Sequence, residues 1–228
     1  MDKQPKNQPL NLLLLCGPAG SCFFVIMFIV QGLLREDYDG LRFPVSSLAI
    51  GEYGWIQILS FVITGVLILL FSVGFRVAAT RIFDKHRLLS FLLVTAGVGL
   101  IGTGLFPSDP IYGYPPSEPL KLAQYTISGH LHNLFSLLLM ASFTLACLVA
   151  AKEYIKGELK MWAVYSTASA ISIVLFFILA YIGYQQVPFL VDYAGLFQRV
   201  SIISGTSYLT VTAIKLLTTQ HRGFTSPP

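Results

Sequence analysis

Residues 102–136 read GTGLFPSDPIYGYPPSEPLKLAQYTISGHLHNLFS. The stretch leaves an apolar run through Leu105, Phe106 and Pro107, sets Asp109 just past the exit, and crosses a proline-rich loop. It then re-enters an apolar run that carries His130, His132 and Asn133 in its first two turns. Two apolar runs joined by a polar turn are what a chain needs to cross a hydrocarbon layer, turn in water and cross back. One acid and two imidazoles therefore gather at a single membrane boundary, the densest group of reactive side chains in the sequence.

Working outward, the same pattern repeats along the chain. A helix needs about 20 apolar residues to span a bilayer core, and six runs qualify: 10–34, 53–75, 88–106, 125–150, 160–184 and 195–219. Helical spans are expected because each satisfies its own backbone groups without water, and no segment shows the ten-residue alternation of a membrane barrel. The composition agrees. Of 228 residues, 54% are hydrophobic and 11% charged, against about 25% charged in soluble domains. The expected fold is an all-α integral membrane protein, a bundle of six transmembrane helices forming one domain over residues 1–228. The run from Leu10 to Leu34 is about twice the length of a signal-peptide core, so a retained first helix is expected.

Lys and Arg set the orientation. Lys3, Lys6, Arg76, Arg81, Lys85, Arg87, Lys152, Lys156, Lys160, Lys215 and Arg222 fall on one side, and Arg35, Arg42, Lys121 and Arg199 on the other. Cytoplasmic segments carry the excess of positive charge, so both termini are expected in the cytoplasm of a protein of the cell (inner or plasma) membrane. Tyr53, Trp55, Tyr112, Tyr114, Tyr125, Tyr181, Tyr184 and Tyr193 then form an aromatic belt at the outer ends.

The spans also exclude several functions. Gly97-Val98-Gly99-Leu100-Ile101-Gly102 matches the dinucleotide pattern, but it lies inside an apolar run rather than after a strand, and reads as helix packing. Pro18 should kink the first span, with either a compact bundle or a lipid-accessible groove beside it. Cys16, Cys22 and Cys147 all lie in apolar runs and form no disulfide framework or metal pair. No metal site and no cofactor are expected. The absence of a basic run gives no nucleic-acid partner, and the absence of ionisable residues mid-membrane argues against a pump or coupled transporter.

The candidate site is therefore the outer boundary. His130 and His132 are two residues apart, about 200° around a helix, so they cannot share a metal and one at most faces the bundle interior. Either could serve as a general base or as a polar anchor; His132 shares its face with Ser128 and Ser136. Asp109 either caps the loop, orients a histidine or pairs with Arg199. Arg199, one turn inside the sixth span, either snorkels outward or holds a carboxylate or an anionic headgroup. Ser46, with Ser47 on the first outer loop, completes a conceivable Ser–His–Asp set, and Gln198 and Asp192 are further binding candidates.

Four local patterns carry a resemblance: the serine pair Ser46-Ser47 running to Trp55, the exit GTGLFPSD at 102–109, GHLHNLFS at 129–136, and GLFQR at 195–199. Over nearly the whole chain they resemble the prokaryotic multi-pass membrane family called domain of unknown function 998, which implies six helices and no established activity. A more distant similarity runs to the Frag1/DRAM/Sfk1 six-span group, some members of which act in lipid remodelling. That similarity implies a lipid context and transfers no catalytic motif.

Two functional expectations follow. One is an outer-leaflet polar pocket that binds or modifies a lipid or other amphiphile. If it is catalytic, acyl transfer or hydrolysis would use His132 or His130 with Asp109, and Arg199, Gln198, Ser46 and Asp192 would bind. The other is a non-catalytic scaffold or a subunit of a larger membrane complex, with a homo-oligomer or a membrane-protein partner.

Overall fold

A computed structural model describes residues 8–111, 113–116 and 126–222, without the side chains of Arg81, Gln220, His221 and Arg222. Lys121, Glu118, Tyr112, Tyr125 and the lysines of the N-terminal tail lie outside the described residues. Six α-helices follow one another: α1 Gln8–Leu34, α2 Gly54–Ala78, α3 His86–Leu105, α4 Ile127–Lys156, α5 Lys160–Tyr184 and α6 Ala194–Arg222. All six include segments long and apolar enough to cross a membrane. The chain is a multi-pass membrane protein of helical architecture, with no strand among the described residues. Three short 3-10 turns, Val45–Ala49, Ala79–Arg81 and Val191–Tyr193, lie in the connections.

Each helix packs on the next in sequence, and α6 returns to α1 to close a ring. The connections α1–α2, α3–α4 and α5–α6 gather at one end, called distal below; the start of α1, the end of α6 and the other two connections lie at the other end, called terminal.

Glycines set how closely the ring can draw together. A Cβ on Gly65 would lie 2.8 Å from the Gly97 carbonyl, and one on Gly97 would lie 3.0 Å from the Gly65 carbonyl. The backbones of α2 and α3 meet there. Gly99 and Gly102 do the same against α4, where Phe135 occupies the space of the missing Cβ atoms. The dinucleotide-like run at 97–102 is thus a two-sided packing surface, as small residues provide in lipid. Both flanks of Pro18 are filled as well. Gly17 sits against the Phe71 ring of α2, and Ser21 Oγ donates to the Thr206 carbonyl of α6 at 3.0 Å. Gly17 and Ser21 thus pack against neighbouring helices, while Pro18 is half-buried and Ala19 exposed.

The terminal end is tied by side chains of α4. Buried Glu153 accepts from the Lys85 amide at 3.0 Å and pairs with Lys156 at 2.9 Å. Lys215 was counted above as an ordinary flanking charge. Its ammonium instead lies 4.1 Å from the Tyr154 ring centroid and 4.0 Å from that of Trp162, a cation–π cage that locks α6 onto α4 and α5.

Candidate functional site

The distal end holds two structures side by side, a strapped loop and an open cavity. The loop between α1 and α2 crosses to the start of α6. The first N–H groups of any helix lack intrahelical partners, and here the loop supplies them. Gly195 donates to the Arg42 carbonyl at 3.1 Å and Leu196 to the Leu41 carbonyl at 2.9 Å. Gly195 is required by this approach, since a Cβ would collide with the Phe43 carbonyl oxygen.

Arg199 completes the strap. Its Nη1 donates to the Phe43 carbonyl at 3.0 Å and the Gly195 carbonyl at 2.9 Å, and its Nη2 to the Tyr38 hydroxyl at 2.6 Å. The guanidinium also lies over the Phe28 and Tyr38 rings. Burial pushes the Tyr38 phenol up to about 12, so it stays protonated and donates onward to the Pro44 carbonyl at 2.8 Å. Arg35 plays the same part at the other edge of the loop, reaching the Leu48 and Ile50 carbonyls and the Tyr114 hydroxyl. Arg199 thus meets no carboxylate among the described residues. Its donors go to carbonyls and a phenol, and it is not on the cavity wall.

Beside the strap lies a cavity of about 420 Å³. Its floor is formed by Ser46, His132, Ser136 and Gln198, its rim by Asp109 and Gln185, and its open flank by Leu137 and Tyr181. A second, inner chamber of about 50 Å³ shares Ser46, His132, Ser136, Phe177 and Gln198 with the first and continues toward Phe143 and Thr206. His132 is buried at this junction. Its Nδ1 lies 3.0 Å from the Thr103 carbonyl and 2.8 Å from the Phe106 carbonyl, the last unpaired carbonyls of α3. Two acceptors at Nδ1 require that nitrogen to carry the proton, which leaves Nε2 as the free lone pair of the neutral ring. Gln198 is oriented in the same way. Its Oε1 accepts from the Val45 amide at 2.7 Å, so its NH2 group is the part left over for a ligand.

A scan of protein-family models matches residues 18–215 to the family described as protein of unknown function, DUF998. The chain belongs to the DUF998 family. No curated protein and no solved structure matches it.

For this DUF998 protein, the sequence candidates separate clearly. His132, Ser46, Gln198 and Asp109 line the cavity. His130 is exposed on another face of α4, and Asp192 is exposed in the 3-10 turn before α6; neither lines it. Asp109 takes the capping role. Its carboxylate accepts from the Thr126 amide at 3.0 Å and the Thr126 hydroxyl at 2.6 Å, while that hydroxyl accepts from Gly129 N–H to cap α4. Gly129 leaves room for the carboxylate, which a Cβ would strike. The conceivable Ser–His–Asp set is not assembled. Asp109 is bound to Thr126, backbone carbonyls hold His132 Nδ1, and no serine hydrogen-bonds to His132 among the described residues. No group of His, Cys, Asp and Glu able to hold a metal occurs among the described residues either.

Three features went unnoticed in the sequence. Tyr184 OH and Ser108 Oγ are buried on the cavity wall without a hydrogen-bond partner among the described residues. Gln31 Nε2 donates to Gln57 Oε1 at 2.7 Å between α1 and α2. Only the two glutamines carried a signal, as isolated amides within apolar runs.

Proposed function

We propose that this membrane protein takes a lipid or another amphiphile from the bilayer into the distal cavity, on the extracytoplasmic side. The supporting observation is the course of the cavity wall. It passes from buried His132 to Leu137 and Tyr181, which are 55% and 63% exposed on the surface that a six-span bundle turns to lipid. A molecule lying in the membrane reaches such a site between α4 and α5 without leaving the apolar phase. Its polar end meets Ser46, Gln198 and Asp109, and its apolar part meets Phe177, Leu137 and the inner chamber.

If the bound molecule is turned over, His132 is the general base. Nε2 takes the proton of a water or alcohol as that oxygen bonds to an acyl carbonyl carbon, and returns it to the departing alkoxide. His132→Asn tests this directly, because the asparagine amide can keep the donation to the α3 carbonyls while removing Nε2. Lipid hydrolysis or acyl transfer by the purified protein should be lost in His132→Asn and retained in His130→Ala. Turnover that survives His132→Asn contradicts the catalytic reading.

A second reading, a non-catalytic lipid-binding scaffold or complex subunit, is favoured by one observation. The imidazole has no carboxylate hydrogen-bonded behind it, only carbonyls, so the orienting ion pair of a catalytic triad is not formed. Stoichiometric lipid retention without turnover is its signature.

A further inference from the structure

We infer that the head of the bound amphiphile is uncharged and hydroxyl-rich, a glycerol or sugar head rather than a phosphate-bearing one. The inference rests on the lipid reading above and narrows it.

The wall of the larger cavity carries no Lys or Arg among the described residues. Arg35 and Arg199, in the adjoining strap, direct hydrogen bonds to the first loop. Among the described residues, the one formal charge on the wall is the Asp109 carboxylate. A phosphate drawn into this space would exchange water for a wall of its own sign, with no fork of donors to repay the desolvation.

What the wall offers instead is neutral hydrogen bonding of both kinds. Hydroxyls of Ser46, Ser108, Ser136 and Tyr184 and amides of Gln198 and Asn133 line it. Hydroxyls donate and accept, and amides do each with a different atom. An alcohol group of a ligand, itself donor and acceptor, matches such an inventory; an acceptor-only phosphate would leave the wall's acceptors, His132 Nε2 among them, unused. Two wall groups show that the inventory is incomplete as it stands. Ser108 Oγ and Tyr184 OH are buried and have no partner among the described residues, and a buried polar group in a native fold normally has a partner. Phe177, Tyr181 and Tyr184 add ring surface on the α5 side, suited to the C–H faces of a polyol.

The test uses the full chain in nanodiscs of phosphatidylcholine containing equal amounts of dioleoylglycerol, monoglucosyl-dioleoylglycerol and phosphatidylglycerol. Native mass spectrometry then reads the retained lipid. The expected result is one of the two uncharged lipids enriched about tenfold over phosphatidylglycerol; which of the two is enriched distinguishes a glycerol from a sugar head. Tyr184→Phe and Ser108→Ala should each weaken that retention several-fold without lowering the Tm of the empty protein, because each removes a hydroxyl that has no partner among the described residues. A purely structural role would move the Tm instead. Enrichment of phosphatidylglycerol or phosphatidylcholine overturns this inference and leaves the amphiphile reading standing. Retention of no lipid at all overturns both.

Discussion

The α1–α6 side and the α4–α5 side of the distal end use polar residues in opposite ways. On the first, Arg199, Arg35 and Tyr38 direct their hydrogen bonds into loop carbonyls and one another, and Gly195 and Leu196 close the loop onto α6. On the second, Tyr184 and Ser108 present to a cavity buried hydroxyls that have no partner among the described residues. His132 and Gln198 stand on the boundary. Each has one end tied to backbone and the other left for the cavity. The difference teaches that charge within a membrane boundary is a poor marker of function here. The most conspicuous cation, Arg199, is consumed by folding, and the quiet neutral groups are the ones left over.

Substitutions sharpen that division, and the largest effect should come from the strap. Arg199→Ala removes three charge-assisted hydrogen bonds and leaves the Phe43 carbonyl only the longer contact from the Tyr38 hydroxyl, at 3.2 Å, so stability should fall by about 3 kcal/mol. Thermal unfolding in detergent measures it, and Arg199→Lys should recover less than half because an ammonium lacks the planar fork. An unchanged Tm in Arg199→Ala would return the arginine to the pool of free binding groups. Gly195→Ala comes next. Its methyl group would strike the Phe43 carbonyl, and an overpacked contact of this kind costs about 1–3 kcal/mol; a neutral Tm would mean that the loop does not close on α6 as described. Asp109→Ala is the mildest, losing the brace behind the α4 cap at about 1 kcal/mol. A loss well above that would give Asp109 a role beyond positioning Thr126.

The fold was legible because hydrocarbon thickness and backbone satisfaction leave little choice. The run 160–184 expected from hydropathy coincides with α5, and the other boundaries shift by a few residues, as where α4 runs on from Ala150 to Lys156. The two-sided glycine packing of α3 was visible as composition, though not which glycine faces which neighbour. At the site, helical periodicity separated His130 from His132 but could not choose between them. The Ser128–His132–Ser136 face was the available hint, and α3 carbonyls decide the matter. Arg199 could not be read, since Tyr38 and Phe43 reach it across more than 150 residues of chain. Lys215 misled for a related reason: positive-inside counting treats every lysine as solvated, and this one is stacked on two aromatic rings.

The central claim, that the distal cavity is a ligand site and not a packing defect, can be tested by filling it. Ser136 lines both chambers, so Ser136→Phe places a ring where the two meet. Native mass spectrometry of protein extracted with its own membrane lipids should show one retained lipid per wild-type chain and none in Ser136→Phe, at an unchanged Tm. Equal retention in the two proteins, or none in the wild type, would contradict the account.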